Sequence, residues 1–100
     1  MLKFEWDDKK NDINKEKHGI SFIEASTVFY DDNALLINDE VHSNIEERFI
    51  LLGISTLANM LVVCHCYRNS EEVIRIISAR KATKKETRQY DERKRYEKRI

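Results

Sequence analysis

Two arginines stand among isoleucines in the segment "IRIISARKAT", residues 74–83, where a strand-like pattern gives way to a helix-like one. A guanidinium is not deprotonated in a protein, so Arg75 and Arg80 must each reach water, a carboxylate or a phosphate. Arginine binds phosphate in a fixed bidentate geometry and can stabilise the charge of a phosphoryl transition state. Alternatively, a strand arginine covers a sheet edge or pairs with a carboxylate. In an uninterrupted strand Arg80 would share a face with Ile74, Ile76 and Ser78.

Arginines in such a position could take part in RNA cleavage without a metal ion. There the 2′-hydroxyl attacks the adjacent phosphate, a base takes its proton, an acid protonates the leaving 5′-oxygen, and cations stabilise the extra charge. A histidine or a glutamate can supply the base, and His65 in "VVCHCYR" lies on an apolar strand. Such a histidine is more often a hydrogen-bonded core residue, so both interpretations remain open.

The register of one hairpin decides whether His65 lies beside Arg75. A two-residue turn at Asn69 and Ser70 would pair His65 with Ile74 and place Arg75 on the other face. A three-residue turn over residues 69–71 would pair His65 with Arg75 directly. The sequence leaves this register open.

The two cysteines do not indicate a metal site. Cys64 and Cys66 flank His65 on a strand, so they point to one face and the histidine points to the other. With no further cysteine in the chain, two reduced core thiols are the better interpretation. The chain has only two glycines and lacks the glycine-rich motifs of nucleotide binding. We therefore expect neither a metal nor a cofactor.

The net charge of zero conceals an asymmetry along the chain. Residues 1–80 hold 9 Lys and Arg against 14 Asp and Glu, a net of −5, whereas residues 81–100 hold 9 against 4, a net of +5. A basic tail suggests an anionic partner, although a solvated helix face would look the same. No run is apolar enough for a signal peptide or a membrane span, which predicts a cytosolic protein.

The hydrophobic pattern predicts a single α+β domain over residues 1–100, in the order β-α-α-β-β-β-β-α with an antiparallel sheet. Asp7 or Asp8 caps a first helix, and Gly19 ends it in a left-handed conformation. His18, directly before that glycine, is expected to be a charge partner of the helix C-terminus. Ser21 and Glu24 form a capping box that begins a second helix, which runs to about Tyr30. Thr83 and Glu86 form another capping box, which begins the last helix. That last helix has few apolar residues, so it should lie on the surface or against a partner.

Four segments, in chain order, resemble the BrnT family of toxin–antitoxin ribonuclease toxins: "FEWD", "KHGISFIEA", "HSNIEERFILLG" and "RIISARKATKKE". The resemblance covers roughly residues 4–90. It implies a RelE-like fold, RNA cleavage that arrests translation, and a cognate antitoxin with a ribbon-helix-helix DNA-binding domain. It also implies a toxin–antitoxin complex that represses its own operon, so that operator DNA is contacted only through the antitoxin.

Carried over by position, the family pattern picks out His42, Glu47, Arg48, Arg75, Ser78 and Arg80. His65 lies outside that pattern and rests on the strand argument alone. We therefore predict a metal-independent endoribonuclease toxin of a bacterial type II module, in which Arg75 and Arg80 bind phosphate. Glu47 or a histidine, His42 before His65, would be the base, with Arg48 assisting.

Further contacts with RNA are predicted for Ser78, Lys81, Lys84, Lys85 and Arg88. The alternative function is a non-enzymatic nucleic-acid-binding or antitoxin-binding module that acts through the basic last helix. The two differ in where the important residues lie, because catalysis needs the sheet and the middle loop whereas plain binding needs the helix.

Overall fold

The computed structural model describes residues 2–39, 46–70 and 72–99, and for residues 96–99 it describes the backbone only. The elements follow the predicted α+β order: β1 (Lys3–Glu5), α1 (Asp8–His18), α2 (Phe22–Thr27), β2 (Leu35–Asn38), β3 (Phe49–Ile54), β4 (Met60–Arg68), β5 (Val73–Lys81) and α3 (Lys84–Arg99). A 3₁₀ turn, Val28–Tyr30, extends α2 to its predicted end. Within these residues, no helix is both long enough and apolar enough to cross a membrane.

The strands form one five-stranded sheet in the order β1-β5-β4-β3-β2. Strands β2 to β5 make the predicted antiparallel succession, but β1 pairs with β5 in parallel. The sheet is therefore mixed, which corrects the expectation of a purely antiparallel one. Two helices and three strands separate β1 from β5 along the chain, so no tight turn dictates the direction in which they pair.

A β-bulge divides β5 into two parts. The pairing of β4 with β5 changes register between Cys64 and His65: Cys64 lies opposite Ser78 and His65 lies opposite Ile76, which leaves Ile77 as the extra residue. The extra residue reverses the alternation of faces, so Ser78 does not share the face of Ile76 as an uninterrupted strand would require.

The β4–β5 hairpin has neither of the two registers considered from the sequence. Arg68 pairs with Val73 across a connection formed by residues 69–72. His65 therefore lies opposite Ile76, and Arg75 lies opposite Cys66. His65 and Arg75 project to different faces of the sheet.

Helices α1 and α2 pack on one face of the sheet over the main core, which contains Ile20, Phe22, Ala25, Val28, Leu51, Leu61, Val63, Ile76 and Ala79. The predicted caps are confirmed. The Asp7 carboxylate accepts the N–H groups of Lys9 and Lys10 at 2.8 and 3.2 Å. Gly19 follows α1 with φ 72°, and its N–H donates to the Lys15 carbonyl. These caps fix the sharp elbow between the two helices.

Helix α3 packs on the other face of the sheet through one aromatic anchor. Tyr90 is 4 % exposed and packs against Leu52 and Val62. Most other described side chains of α3 are exposed or half-buried, as the sparse apolar pattern predicted. The helix therefore lies on the surface and is attached mainly at Tyr90.

Asp31 ties α3 to the end of β3. The Tyr90 hydroxyl donates to Oδ2 of Asp31 at 2.8 Å, and the Ile54 N–H donates to the same oxygen at 2.9 Å. Asp31 can approach the strand this closely because residue 53 is glycine: a Cβ on Gly53 would lie 2.9 Å from that oxygen. Burial and this carboxylate raise the pKa of Tyr90 to about 12, so its hydroxyl remains a donor.

Candidate active site

A cleft of about 270 Å³ opens beside β5 on the side of the bulge that leads to α3. Its walls come from the end of α1, the residues after β2, the start of β3, and strands β4 and β5: His18, Asp39, Arg48, Ile50, Val62, Cys64, Ile77, Ser78, Ala79 and Arg80. The cleft thus brings together three of the residues that the sequence singled out, Arg48, Ser78 and Arg80. Its lining combines apolar side chains with two guanidinium groups and the Asp39 carboxylate.

Arg80 is oriented by a carboxylate from α3. Its Nη1 and Nη2 donate to Oε1 and Oε2 of Glu86 at 2.8 and 2.9 Å, a bidentate pair. Glu86 also completes the predicted capping box: its Oε1 accepts the Thr83 N–H at 2.8 Å and its own N–H donates to the Thr83 hydroxyl at 3.2 Å. Chiefly because of the Arg80 hydrogen bonds, the pKa of Glu86 falls to about 2.

Arg48 and Asp39 bring opposite charges to the same end of the cleft. The Asp39 N–H donates to the Arg48 carbonyl at 2.8 Å, which holds the two backbones together just beyond the ends of β2 and β3. Burial raises the pKa of the neighbouring Cys64 thiol, while the Arg48 charge and a hydrogen bond with Ser78 act in the opposite direction. Since burial is the largest effect, Cys64 is a neutral thiol at physiological pH.

The wall of the cleft at β5 is held in place by an asparagine. β1 pairs only with Val73 to Arg75, so within the described residues no strand lies beside the edge of β5 beyond the bulge. The buried Asn14 side chain on α1 takes that place: its Nδ2 donates to the Ala79 carbonyl at 2.8 Å and its Oδ1 accepts the Ala79 N–H at 3.1 Å. Nδ2 also donates to the Ile20 carbonyl at 2.9 Å.

His18 reaches the cleft because it lies on the same helix face as that asparagine. Asn11, Asn14 and His18 are spaced by three and four residues, which places them on one side of α1. Asn11 accepts the Phe22 N–H at 2.9 Å, so both asparagines on this face bind backbone groups outside α1. From its place in the sequence, His18 is expected only as a charge partner of the helix C-terminus. The spacing of Asn11, Asn14 and His18 was the sequence signal that could have predicted that His18 also lies at the cleft.

Arg75 lies outside the cleft. Its Nη1 donates to Oε2 of Glu5, directly opposite on β1, at 2.6 Å. The same oxygen lies 3.7 Å from Nε of Arg68, whose Nη2 lies 3.6 Å from Oε2 of Glu46. Arg75 is thus one member of a chain of alternating charges across the other half of the sheet, which matches the structural alternative considered for a strand arginine.

His65 is completely buried on the face that carries α2. Its ring packs edge-to-face on Phe29 with centroids 4.7 Å apart, and its Nε2 lies 3.3 Å from the Tyr67 hydroxyl. Burial lowers the pKa of His65, so the imidazole is neutral. The structure therefore does not bring His65 to Arg48 and Arg80.

The remaining predicted residues fall in three places. Glu47 is exposed directly before Arg48 and does not line the cleft. Lys81, Lys84, Lys85 and Arg88 are exposed at the end of β5 and in the first turns of α3. His42 lies outside the described residues. Among the described residues, no three His, Cys, Asp or Glu side chains are grouped so as to hold a metal ion.

Comparisons with known proteins bear on this fold and cleft. Residues 6–86 match a family described as the ribonuclease toxin BrnT of type II toxin–antitoxin systems. A solved structure with the same fold is the 1.1 Å crystal structure of the Brucella abortus ribonuclease toxin BrnT. It has a TM-score of 0.65 and 21% sequence identity, and the match covers 84% of this chain and 100% of that one. No curated protein sequence matches the chain.

Proposed function

Because this chain belongs to the BrnT family of ribonuclease toxins of type II toxin–antitoxin systems, we propose that it cleaves RNA internally, without a metal ion, at the cleft beside β5. The observation that carries this proposal is the bidentate contact of Arg80 with a carboxylate inside a cleft that also holds Arg48. A carboxylate presents two oxygens much as a phosphate does, so Arg80 is already oriented to bind such an anion.

In the proposed reaction the scissile phosphate lies between the guanidinium groups of Arg48 and Arg80. The 2′-oxygen bonds to phosphorus, the bond from phosphorus to the 5′-oxygen breaks, and the products are a 2′,3′-cyclic phosphate and a 5′-hydroxyl. The two fixed cations stabilise the extra negative charge of the transition state, which is the role that a metal ion would otherwise fill. The Ser78 hydroxyl, exposed on the same wall, supplies a further hydrogen bond.

Arg80 binds the phosphate either through its remaining N–H donors or in exchange for Glu86. A guanidinium has five N–H donors, of which Glu86 accepts one from Nη1 and one from Nη2, and the Lys81 carbonyl accepts another from Nη1 at 3.3 Å. Partial exposure of the Arg80 side chain, 42%, leaves room for a second anion. Lys81, Lys84, Lys85 and Arg88 then attract the rest of the RNA backbone through its charge.

Membership in a type II toxin family implies an antitoxin partner. We propose that this antitoxin carries a ribbon-helix-helix domain, that it neutralises the toxin, and that operator DNA is bound by the hetero-oligomer through the antitoxin alone. Arrest of translation follows from cleavage of RNA.

The experiment is single-turnover cleavage of end-labelled RNA by the purified protein, in EDTA and in Mg²⁺. We expect equal rates in both, with cyclic phosphate ends on the products. Induced expression without antitoxin should arrest growth and degrade RNA. Intact RNA and unchanged growth with folded protein would contradict the proposal. Binding of RNA without cleavage, lost when Lys84, Lys85 and Arg88 are replaced, would favour the non-enzymatic alternative.

A further inference from the structure

The cleft has cations for the phosphate, but cleavage also requires a group that accepts the 2′-hydroxyl proton. Neither Arg48 nor Arg80 can do so, because a guanidinium stays protonated in a protein. We propose that His18 is this general base. The inference rests on the proposed function and adds a residue that the family resemblance did not pick out.

Other titratable groups on the described cleft wall are less suited to the task. Cys64 is held as a neutral thiol by burial, so it is a weak base. The Asp39 side chain belongs to a residue that is only 9% exposed, so it exchanges a proton with water less readily than an exposed group does. An imidazole has its ordinary pKa near 6.5, the range in which a group accepts and returns protons most efficiently.

Histidines elsewhere do not compete within the described part of the chain. His65 is completely buried on the opposite face of the sheet and its ring contacts Phe29. His18, in contrast, is exposed and lines the cleft, so its ring can exchange a proton with water after each turnover. The position of its backbone is fixed on both sides, by Asn14 on Ala79 and by the left-handed Gly19.

The proton balance is simple. As the 2′-oxygen bonds to phosphorus, its proton passes to an imidazole nitrogen of His18. The departing 5′-oxygen takes a proton from water, and His18 then releases its proton to solvent. The two arginines stabilise charge on the phosphorane and on the leaving oxygen without transferring a proton.

His18 has charged or titratable neighbours on each element that surrounds the cleft. They are Arg80 on β5 with its partner Glu86 on α3, Cys64 on β4, Asp39 after β2, Arg48 before β3, and Lys15 and Lys17 on α1 itself. Arg48 and Arg80 keep their charge throughout the accessible pH range. A fall in the cleavage rate towards acidic pH, the acidic limb of the pH–rate profile, therefore does not come from either arginine.

The test is the pH dependence of single-turnover cleavage from pH 5 to 9 for the full chain and three variants. His18→Gln keeps a polar side chain but cannot titrate, and we expect it to lower the rate by about 10²–10⁴-fold and to abolish the acidic limb. Lys17→Gln changes a neighbouring exposed charge on α1 and should keep both the rate and the limb. Arg80→Ala should lower the rate but keep the limb. Circular dichroism melts establish that each variant is folded.

Each outcome decides a different claim. If His18→Gln cleaves within about threefold of the parent or retains the acidic limb, His18 is not the base. If the parent cleaves and Arg80→Ala cleaves equally fast, the proposed location of the site is wrong, whatever His18 does. If the folded parent cleaves no RNA, the proposed function and the role of His18 are both overturned. Since His18 is exposed, His18→Asn provides a second folded variant with the same expected result.

Discussion

The two halves of β5 carry the same kind of side chain in different surroundings. Before the bulge, Arg75 lies opposite Glu5 of β1 and joins a chain of ion pairs. After the bulge, Arg80 lies in a cleft with Arg48, and the Asn14 side chain binds the backbone of the strand edge beside it. A carboxylate on the neighbouring strand binds Arg75, whereas β1 ends before it reaches Arg80 and a cleft lies there instead.

This difference shows that residue type and spacing do not by themselves identify a phosphate-binding arginine. Both arginines have a carboxylate partner at hydrogen-bond distance, 2.6 Å for Arg75 and 2.8 Å for Arg80. The partner of Arg80 comes from the first turn of a surface helix, and Arg80 itself lines a cleft that also holds the guanidinium of Arg48. This is why we propose phosphate binding at the half of β5 beyond the bulge.

The largest expected effect is a difference in RNA cleavage rate between variants of Arg80 and of Arg75. Arg80→Ala should slow RNA cleavage by about 10²–10³-fold, or roughly 3–4 kcal/mol, since it removes one preorganised donor. Arg80→Lys should recover only part of this loss, because an ammonium lacks the bidentate fork. Arg75→Ala is the matched control. It should cleave within about threefold of the parental rate and lose about 1 kcal/mol of stability, because its ion pair is partly exposed.

Single-turnover rates and thermal unfolding of the same preparations check this contrast. Equal losses of activity in the Arg75→Ala and Arg80→Ala variants would mean that the bulge does not divide the strand functionally. The earlier catalytic prediction for Arg75 would then stand.

A second prediction concerns Asn14, the side chain that binds the edge of β5 beyond the bulge. Asn14→Leu removes three hydrogen bonds and leaves buried groups of Ala79 and Ile20 unpaired, so we expect a loss of about 3 kcal/mol in unfolding free energy. Asn11→Ala, which removes one hydrogen bond to Phe22, should cost about 1 kcal/mol. Urea denaturation measures both, and equal costs would show that Asn14 does not replace a strand at this edge.

The smallest effect tests the carboxylate that occupies Arg80. Glu86→Gln keeps the capping side chain but removes the charge, so it should cost about 1–2 kcal/mol at pH 7. The folded-state pKa of Glu86, about 2, lies below its ordinary value of 4.5. The stabilisation is therefore complete above pH about 4.5 and disappears as the pH falls towards 2. Melting temperatures of parent and variant should converge over that interval, and a constant difference would contradict the role of the charge.

Local signals in the sequence predicted the elements well but not the division of β5. Asp7, Gly19, Ser21 and Thr83 act within a few residues of their own position, so the helix ends could be read directly. The partner of β1 depends on contacts about 70 residues apart, and no short turn specifies it. The bulge at Ile77 likewise cannot be predicted from the sequence, because Ile76 and Ile77 are identical residues that both suit a strand. Without it, Arg80 would be assigned to the wrong face.

The residues that line the cleft were likewise predictable only in part. The family resemblance selected Arg48, Ser78 and Arg80, which the fold does bring together. It could not show that Arg75 is committed to Glu5, since that pairing depends on the parallel strand. His18 was overlooked because its local position at a helix end already explained it. Its place beside Ser78 depends on how α1 packs across the strand edge.

The most direct test of the central claim is a map of where RNA binds. Backbone amide shifts of the labelled protein can be followed by NMR during titration with a short oligonucleotide that has 2′-deoxyribose at the scissile position, which removes the nucleophile. We expect the largest shifts at His18, Ser78 and Arg80, with the shifts of β1 and Arg75 unchanged. Shifts centred on β1 and Arg75, with none at Ser78 or Arg80, would contradict it.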